Sequence, residues 1–194
     1  MLWSDIARIV ITGGLLGILV GKIVMNRPFY LERMLPKSWL PIVKKINFRI
    51  FLKKVSVAFI FSSVSLVAVY LVGSLMNELG WKLYSESEYL FSKLETASPI
   101  LFLATILILP VFEEWIFRGI LLEEISLRTS SRVLGVLTSA LAFGFFHLSN
   151  PGTYPAIAIP LTIGGALLGI CYLLNGLAGS ILSHILYNFL ILVM

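Results

Sequence analysis

Long runs of apolar residues dominate this chain of 194 residues and constrain its fold more than any other feature. Hydrophobic residues make up 58% of the sequence and charged residues only 13%, with a mean hydropathy of +0.96. Ordinary soluble domains are about 45–50% apolar and about 25% charged, and one of this size could not bury so much apolar surface. The composition therefore predicts a polytopic membrane protein.

Six segments of the chain approach or exceed the length that a helix needs to cross a bilayer, which is about 20 mostly apolar residues. These segments are 6–25, 55–76, 98–121, 133–149, 155–174 and 177–194. The sequence therefore predicts an all-α fold, a polytopic transmembrane bundle of about six spanning helices.

The charged residues lie mostly between these segments, and their signs predict the topology. The loop 26–54 carries eight Lys and Arg residues and one acid, Glu32, which places it on the cytoplasmic side by the positive-inside rule. Its aromatic residues also suit a segment that lies on anionic lipid. The acidic loop 77–97 is then expected on the outer side. Because the net charge of +5 comes from one loop between membrane spans, we expect no nucleic-acid partner.

This pattern divides the chain into two expected parts. Residues 1–97 would form two transmembrane helices joined by the basic loop 26–54, and residues 98–194 would form a core of four helices. The second part contains the ionisable residues that interrupt apolar segments.

Glu113, Glu114 and Arg118 interrupt the third apolar segment, in the stretch FEEWIFRG. Residues four apart on a helix differ by about 40° in direction, and residues five apart by about 140°. Glu114 and Arg118 therefore share a face and can form an ion pair, whereas Glu113 points elsewhere and is free to accept a proton. Alternatively, the stretch is a helix end that reaches the lipid headgroups, where charges cost little.

Both histidines of the chain lie in the 62 residues after Arg132, which contain no Asp, Glu, Lys or Arg. An ionisable group in a spanning helix is costly and marks a functional site by default. Phe143 and His147 share one helical face, so the aromatic ring can pack against the imidazole, and His184 and Asn188 share another. Each pair could also serve only to join helices through hydrogen bonds.

An antiparallel pairing of the third and fourth segments would bring Glu113 level with His147. A glutamate and a histidine can hold and deprotonate a water, and a second histidine with an asparagine can stabilise an oxyanion, as amide hydrolysis requires. His184 fits less well, because it lies about 10 Å into its helix whereas Glu113 lies about 24 Å from the turn at residue 130. Tilt, a broken helix or a deeper start of the last helix would have to close this difference.

These motifs, Glu-Glu-x-x-x-Arg, Phe-x-x-x-His and His-x-x-x-Asn in that order, resemble those of the CAAX protease and bacteriocin-processing (ABI) family of intramembrane proteases. That family includes the Ras-converting CAAX endopeptidase, and the resemblance covers about residues 98–194. It implies a bundle of transmembrane helices around a water-accessible cavity. By the same resemblance, Glu113 and His147 would activate the attacking water, and His184 and Asn188 would bind the oxyanion.

The resemblance also implies that Glu114 and Arg118 support Glu113, and it leaves the use of a metal open. Glu113, His147 and His184 could supply a three-ligand zinc site with a fourth position for water. However, no helix carries the HExxH spacing, and a glutamate that binds zinc is no longer free to act as the base. We therefore expect a reaction that requires no cofactor, with zinc as the alternative.

The function predicted from these residues is that of an intramembrane endopeptidase acting on a membrane-associated or leader-type peptide. The alternative is a non-catalytic membrane protein of the same fold, such as an immunity factor or a scaffold for a signalling partner. A proton-coupled transporter is a third interpretation, although the paired repeats of such folds are missing. The short chain and compact loops favour the cell membrane of a bacterium, and the loop charges place Glu113 and His147 nearer its outer face.

Overall fold

The computed structural model describes residues 2–44, 46–85 and 98–193, which are almost entirely helical. The helices are α1 (Leu2–Asn26), α2 (Phe29–Glu32), α3 (Pro36–Lys44), α4 (Phe48–Glu78), α5 (Pro99–Thr129), α6 (Arg132–Phe146) and a last segment, Ala158–Val193. Two short 3₁₀ turns, His147–Ser149 and Pro155–Ile157, link α6 to that last segment. Among the described residues, five helices are long and apolar enough to cross a membrane. The predicted all-α transmembrane bundle is confirmed.

The last helical segment folds back on itself at Gly176, so it forms two helices. Gly176 has a φ of 76° and a ψ of −179°, which lie outside the helical region. Arg118 of α5 donates a hydrogen bond to the Gly165 carbonyl. Glu114, which lies one turn before Arg118 on α5, contacts His184. In a straight helix, residues 165 and 184 would lie about 28 Å apart, too far for both contacts.

The two arms of this hairpin, α7 (158–175) and α8 (177–193), correspond to the fifth and sixth predicted spans. Their turn is held against α4. Asn175 Nδ2 donates to the Lys54 carbonyl at 2.8 Å, and Lys54 Nζ donates to the Asn175 carbonyl at 2.9 Å. Because Lys54 lies well inside α4, the turn is recessed from the start of that helix.

Helix α5 continues past its predicted end at residue 121 and reaches Thr129. The apolar stretch stops at this point, but the helix does not, because Arg128 pairs with Glu124 at 2.7 Å with the i,i+4 spacing that stabilises helices. The middle of α5, Trp115–Leu122, is π-helical. Such turns have i→i+5 hydrogen bonds and occur often at functional sites.

Helix α6 packs antiparallel to both α5 and α7. The rings of Phe117 and Phe143 meet edge to face with centroids 5.2 Å apart. Gly165 permits a close approach of α7 to α6, since an added Cβ would lie 3.2 Å from the Ala140 Cα. Small residues of this kind allow helices to pack tightly in lipid.

The loop predicted over 26–54 is largely helical, because it contains α2, α3 and the first turns of α4. Tyr30 of α2 is fully buried and donates a hydrogen bond to Glu124 of α5 at 3.0 Å. Burial, together with the Glu124 carboxylate, raises the pKa of Tyr30 to about 12, so the phenol keeps its proton and remains a donor. The basic segment is thus anchored to the core by a buried hydrogen bond.

Helices before residue 97 pack directly on helices after it. Ile23 of α1 and Tyr30 of α2 share one buried cluster with Phe117 and Phe143. The division of the chain at residue 97 stays a prediction. Most of the acidic loop predicted over 77–97, namely 86–97, lies outside the described residues.

We predict that Gly176→Ala lowers the free energy of unfolding by about 1–3 kcal/mol, because only glycine adopts this backbone conformation without strain. Thermal unfolding of the purified protein in detergent measures the loss. Gly17→Ala is the matched control, since Gly17 lies in α1 with nothing within 4 Å of an added Cβ. Equal stability of both variants would contradict the hairpin at Gly176.

Candidate active site

Glu114 and Arg118 form a fully buried ion pair near the middle of α5. Arg118 Nη1 lies 2.8 Å from Glu114 Oε1, and both side chains have no exposed surface. Arg118 Nη2 also donates to the Gly165 carbonyl of α7 at 2.8 Å, and its guanidinium lies over the Phe143 ring of α6 at 4.6 Å. The predicted ion pair is therefore present, and it links three helices.

His184 of α8 completes this cluster. Its Nδ1 donates to Glu114 Oε1 at 2.9 Å, so a single carboxylate oxygen accepts from both His184 and Arg118. Its Nε2 faces Glu113 Oε2 at 3.6 Å, which is longer than a direct hydrogen bond. Glu113 keeps 19% of its side chain exposed, and it is thus the more accessible of the two acids.

The sequence predicted that His184 and Glu113 lie at different depths in the bundle. In the structure the two side chains lie 3.6 Å apart, so this difference is absent. Two features of the fold bring the groups together. The π-helical turns of Trp115–Leu122 hold more residues per turn than an α-helix, so this part of α5 spans less length. The turn at Gly176 lies beside Lys54, in the second turn of α4, so α8 begins further into the bundle than α4 does.

His147 lies at the end of α6, where the helix tightens into a 3₁₀ turn. Its Nδ1 donates to the Phe143 carbonyl at 2.8 Å, and the two rings lie 4.5 Å apart, as the shared helical face predicted. In neutral imidazole this hydrogen bond leaves Nε2 as the acceptor. Among the described residues, Glu113 makes its ion-pair contact with His184, at 3.6 Å from Nε2.

A cavity of about 160 Å³ opens between α4, α6, α7 and α8. His147, His184 and Asn188 line it, so three of the four predicted catalytic residues face one space. Apolar side chains form most of the remaining wall. They are Val69, Ile106, Phe143, Ile157, Leu161, Leu168 and Ile191. This combination of an apolar wall and a few convergent polar groups is typical of a ligand site.

Sequence reasoning missed three parts of this site. The hydrogen bond from His184 to Glu114 joins positions 70 residues apart, and no spacing rule predicts it. The Gly165 carbonyl is a main-chain acceptor and leaves no trace in residue type. Ser65 of α4 also lines the cavity, but a serine in an apolar helix is too common to be a signal.

The predicted zinc ligands have suitable chemistry but are not arranged as a metal site. His147 and His184 each direct Nδ1 to a protein acceptor, as metal-bound histidines often do with the ring nitrogen that does not bind the metal. Yet no group of three or more His, Cys, Asp or Glu side chains in the described part of the chain could hold a metal ion. As placed, Glu113 and the two histidines do not fit zinc. The expectation of a metal-free reaction remains a prediction.

We predict that Arg118→Met lowers the free energy of unfolding by about 3–5 kcal/mol, because it leaves the buried Glu114 without its partner charge. The double variant Glu114→Gln/Arg118→Met should recover much of this loss, since both charges are then gone. Thermal unfolding in detergent compares them. Arg132→Met is the control, because the Arg132 side chain is 56% exposed and its ion pair should contribute less than about 1 kcal/mol. An Arg118→Met variant as stable as this control would contradict the buried pair.

Comparison with known proteins bears on the same segment of the chain. Residues 95–190 match the family model described as Type II CAAX prenyl endopeptidase Rce1-like. The chain matches no curated protein and no solved structure. The matched residues include α5 to α8 and thus the whole buried cluster. The general activity of this family is CAAX-type intramembrane proteolysis. The match confirms the family that the sequence motifs predicted. Through residues 95–190, the chain belongs to the Rce1-like family of type II CAAX prenyl endopeptidases.

Proposed function

We propose that this chain is an intramembrane endopeptidase that uses water to hydrolyse a peptide bond of a membrane-associated or leader-type peptide. One observation carries the proposal: Glu113, Glu114, Arg118 and His184 meet inside the bundle, and of these four His184 lines a cavity together with His147. Charged groups are costly inside a membrane and occur there for function. A packing role would be served by far fewer ionisable groups.

The protonation states in the proposed mechanism follow from the contacts and a count of charges. Arg118 is always charged and holds Glu114 as a carboxylate. Glu114 accepts a hydrogen bond from His184 Nδ1, while Glu113 lies near Nε2 of the same ring. A doubly protonated His184 then gives two positive and two negative groups. The cluster has no net charge, which a medium of low dielectric constant favours.

The proposed reaction begins with a water held between Glu113 and His147. Glu113 accepts one proton as the water oxygen bonds to the scissile carbonyl carbon, and His147 Nε2 accepts a hydrogen bond from the other proton. The carbonyl oxygen becomes an oxyanion, to which His184 Nε2–H and the Asn188 amide donate hydrogen bonds. When the tetrahedral intermediate collapses, its C–N bond breaks and Glu113 returns the proton to the leaving amine.

The position of the cluster supports a substrate that reaches the site from within the bilayer. Glu113 lies close to the middle of α5, which is long and apolar enough to span a membrane. The apolar wall of the cavity suits the apolar side chains of a membrane-associated peptide. We keep the cell membrane of a bacterium as the expected location, because the loops between the described spans are short.

We predict that Glu113→Gln lowers turnover by about a hundredfold to ten-thousandfold, because the amide cannot accept the proton of the water. His147→Ala and His184→Ala should cause losses of similar size. Purified variants in detergent are incubated with a library of apolar peptides, and mass spectrometry identifies the products. Glu78→Gln is the control, since Glu78 is exposed at the end of α4. Thermal unfolding of each variant separates lost chemistry from lost folding.

Two outcomes of this experiment would overturn the proposal. Full peptidase activity in a folded Glu113→Gln variant would remove Glu113 as the base. No cleavage by the unmodified protein, combined with retained biological function in Glu113→Gln cells, would favour a non-catalytic immunity factor or scaffold.

We further predict that peptidase activity persists in the presence of a chelator, because Glu113 must be free to accept a proton. Metal analysis of the active purified protein, with a parallel chelator titration of its activity, tests this directly. Activity that falls as the metal is removed and returns when zinc is added back would instead assign Glu113, His147 and His184 as ligands.

A further inference from the structure

Two buried serines of α4 differ in how their hydroxyl groups are satisfied. Ser62 is fully buried and donates to the Phe59 carbonyl of its own helix at 2.8 Å. Ser65 lies one turn further on and is 1% exposed, yet its hydroxyl has no hydrogen-bond partner among the residues that the structure describes. A buried hydroxyl without a partner costs about 1–3 kcal/mol in proteins. Ser65 could make the same bond to its own helix that Ser62 makes, but it does not.

The Ser65 side chain lines the cavity of the proposed active site. It enters from α4, on the same helical face as Val69, while His147, His184 and Asn188 enter from α6 and α8. Its other neighbours in the cavity wall include Ile106 and Leu168, whose side chains cannot accept a hydrogen bond. Since no described residue pairs with the Ser65 hydroxyl, a molecule bound in the cavity is the partner that we consider for it.

A peptide that is being hydrolysed presents the hydrogen-bond acceptor that the Ser65 hydroxyl lacks. A protease must hold its substrate unwound, because a helical peptide shields the scissile bond. Unwinding frees backbone carbonyl groups from the hydrogen bonds of the helix. Within a bilayer, no bulk water pairs with these carbonyls, and each unpaired group costs several kcal/mol. A hydroxyl on the wall opposite the catalytic groups would pair one of them.

We propose that Ser65 is a substrate-binding residue whose hydroxyl donates a hydrogen bond to a backbone carbonyl of an extended peptide in the cavity. This inference rests on the proposed function, and it adds α4 to the substrate site. Residue 65 lies outside the segment 95–190 that matches the family, so this contact belongs to the N-terminal part of this chain.

The test measures peptide binding, so it does not require cleavage. The probe is a fluorescently labelled peptide, chosen from the apolar library as the tightest binder of the Glu113→Gln variant. In that background, Ser65→Ala should weaken binding about fivefold to tenfold, the equivalent of one lost neutral hydrogen bond. Ser62→Ala is the matched control and should leave affinity unchanged. Ser65→Thr keeps the hydroxyl and should restore most of the affinity.

Ester analogues of the same peptide identify the bonded carbonyl. An ester carbonyl is a weaker acceptor than an amide carbonyl, so one ester position should weaken binding to the Ser65 protein but not to Ser65→Ala. In the active protein, Ser65→Ala should raise KM with little change in kcat, as expected for binding shared by the ground and transition states.

Each remaining outcome decides the inference. Unchanged binding by Ser65→Ala would overturn it and would leave a water as the partner of the hydroxyl. An equal loss in Ser62→Ala would overturn it by showing a general packing effect. If the peptide binds with the predicted dependence on Ser65 but the active protein never cleaves it, the Ser65 contact stands and the proposed function fails.

Discussion

The buried ion pair of Glu114 and Arg118 is the interaction on which the rest of the site depends. Both groups have lost their hydration, and separating such a pair leaves an uncompensated charge inside a membrane protein. Arg118 also bonds to the Gly165 carbonyl, and Glu114 accepts from His184. The cost of isolating either charge therefore fixes α5 against both arms of the last hairpin. The catalytic geometry that we propose follows from this electrostatic requirement.

The hairpin at Gly176 allows a single pair of residues to meet both arms. Gly165 of α7 and His184 of α8 come to opposite ends of the same charged pair only because the chain reverses between them. The turn itself is bonded to Lys54 of α4 in both directions. Its depth is thus set by a helix from the other end of the chain. This explains why His184 reaches Glu114 although its distance from the helix start suggested a mismatch.

The sequence predicts the helices well because their length is set by the bilayer and their polar faces by the helical repeat. The last two spans and the pairing of Glu114 with Arg118 follow from these two rules. The extension of α5 to Thr129 does not, because it depends on side-chain pairs beyond the apolar run, such as Arg128 with Glu124. The bond between His184 and Glu114 is also beyond local rules, because it depends on the position of a distant turn. The orphan hydroxyl of Ser65 appears only when the partners of every buried group are known.

The two acids of α5 have different surroundings although they are adjacent in the chain, and the different roles that we propose for them rest on this difference. Glu114 is fully buried and accepts hydrogen bonds from both Arg118 and His184, so we propose that it positions His184 and does not act as the base. Glu113 has no arginine partner among the described residues and remains partly exposed, so it is the acid that we propose as the base. His184 contacts Glu114 through Nδ1 and faces Glu113 through Nε2, and in our proposal this ring also binds the oxyanion. In the proposed mechanism one glutamate holds the histidine and the other acts as the base, and this division would explain two adjacent carboxylates in an otherwise apolar helix.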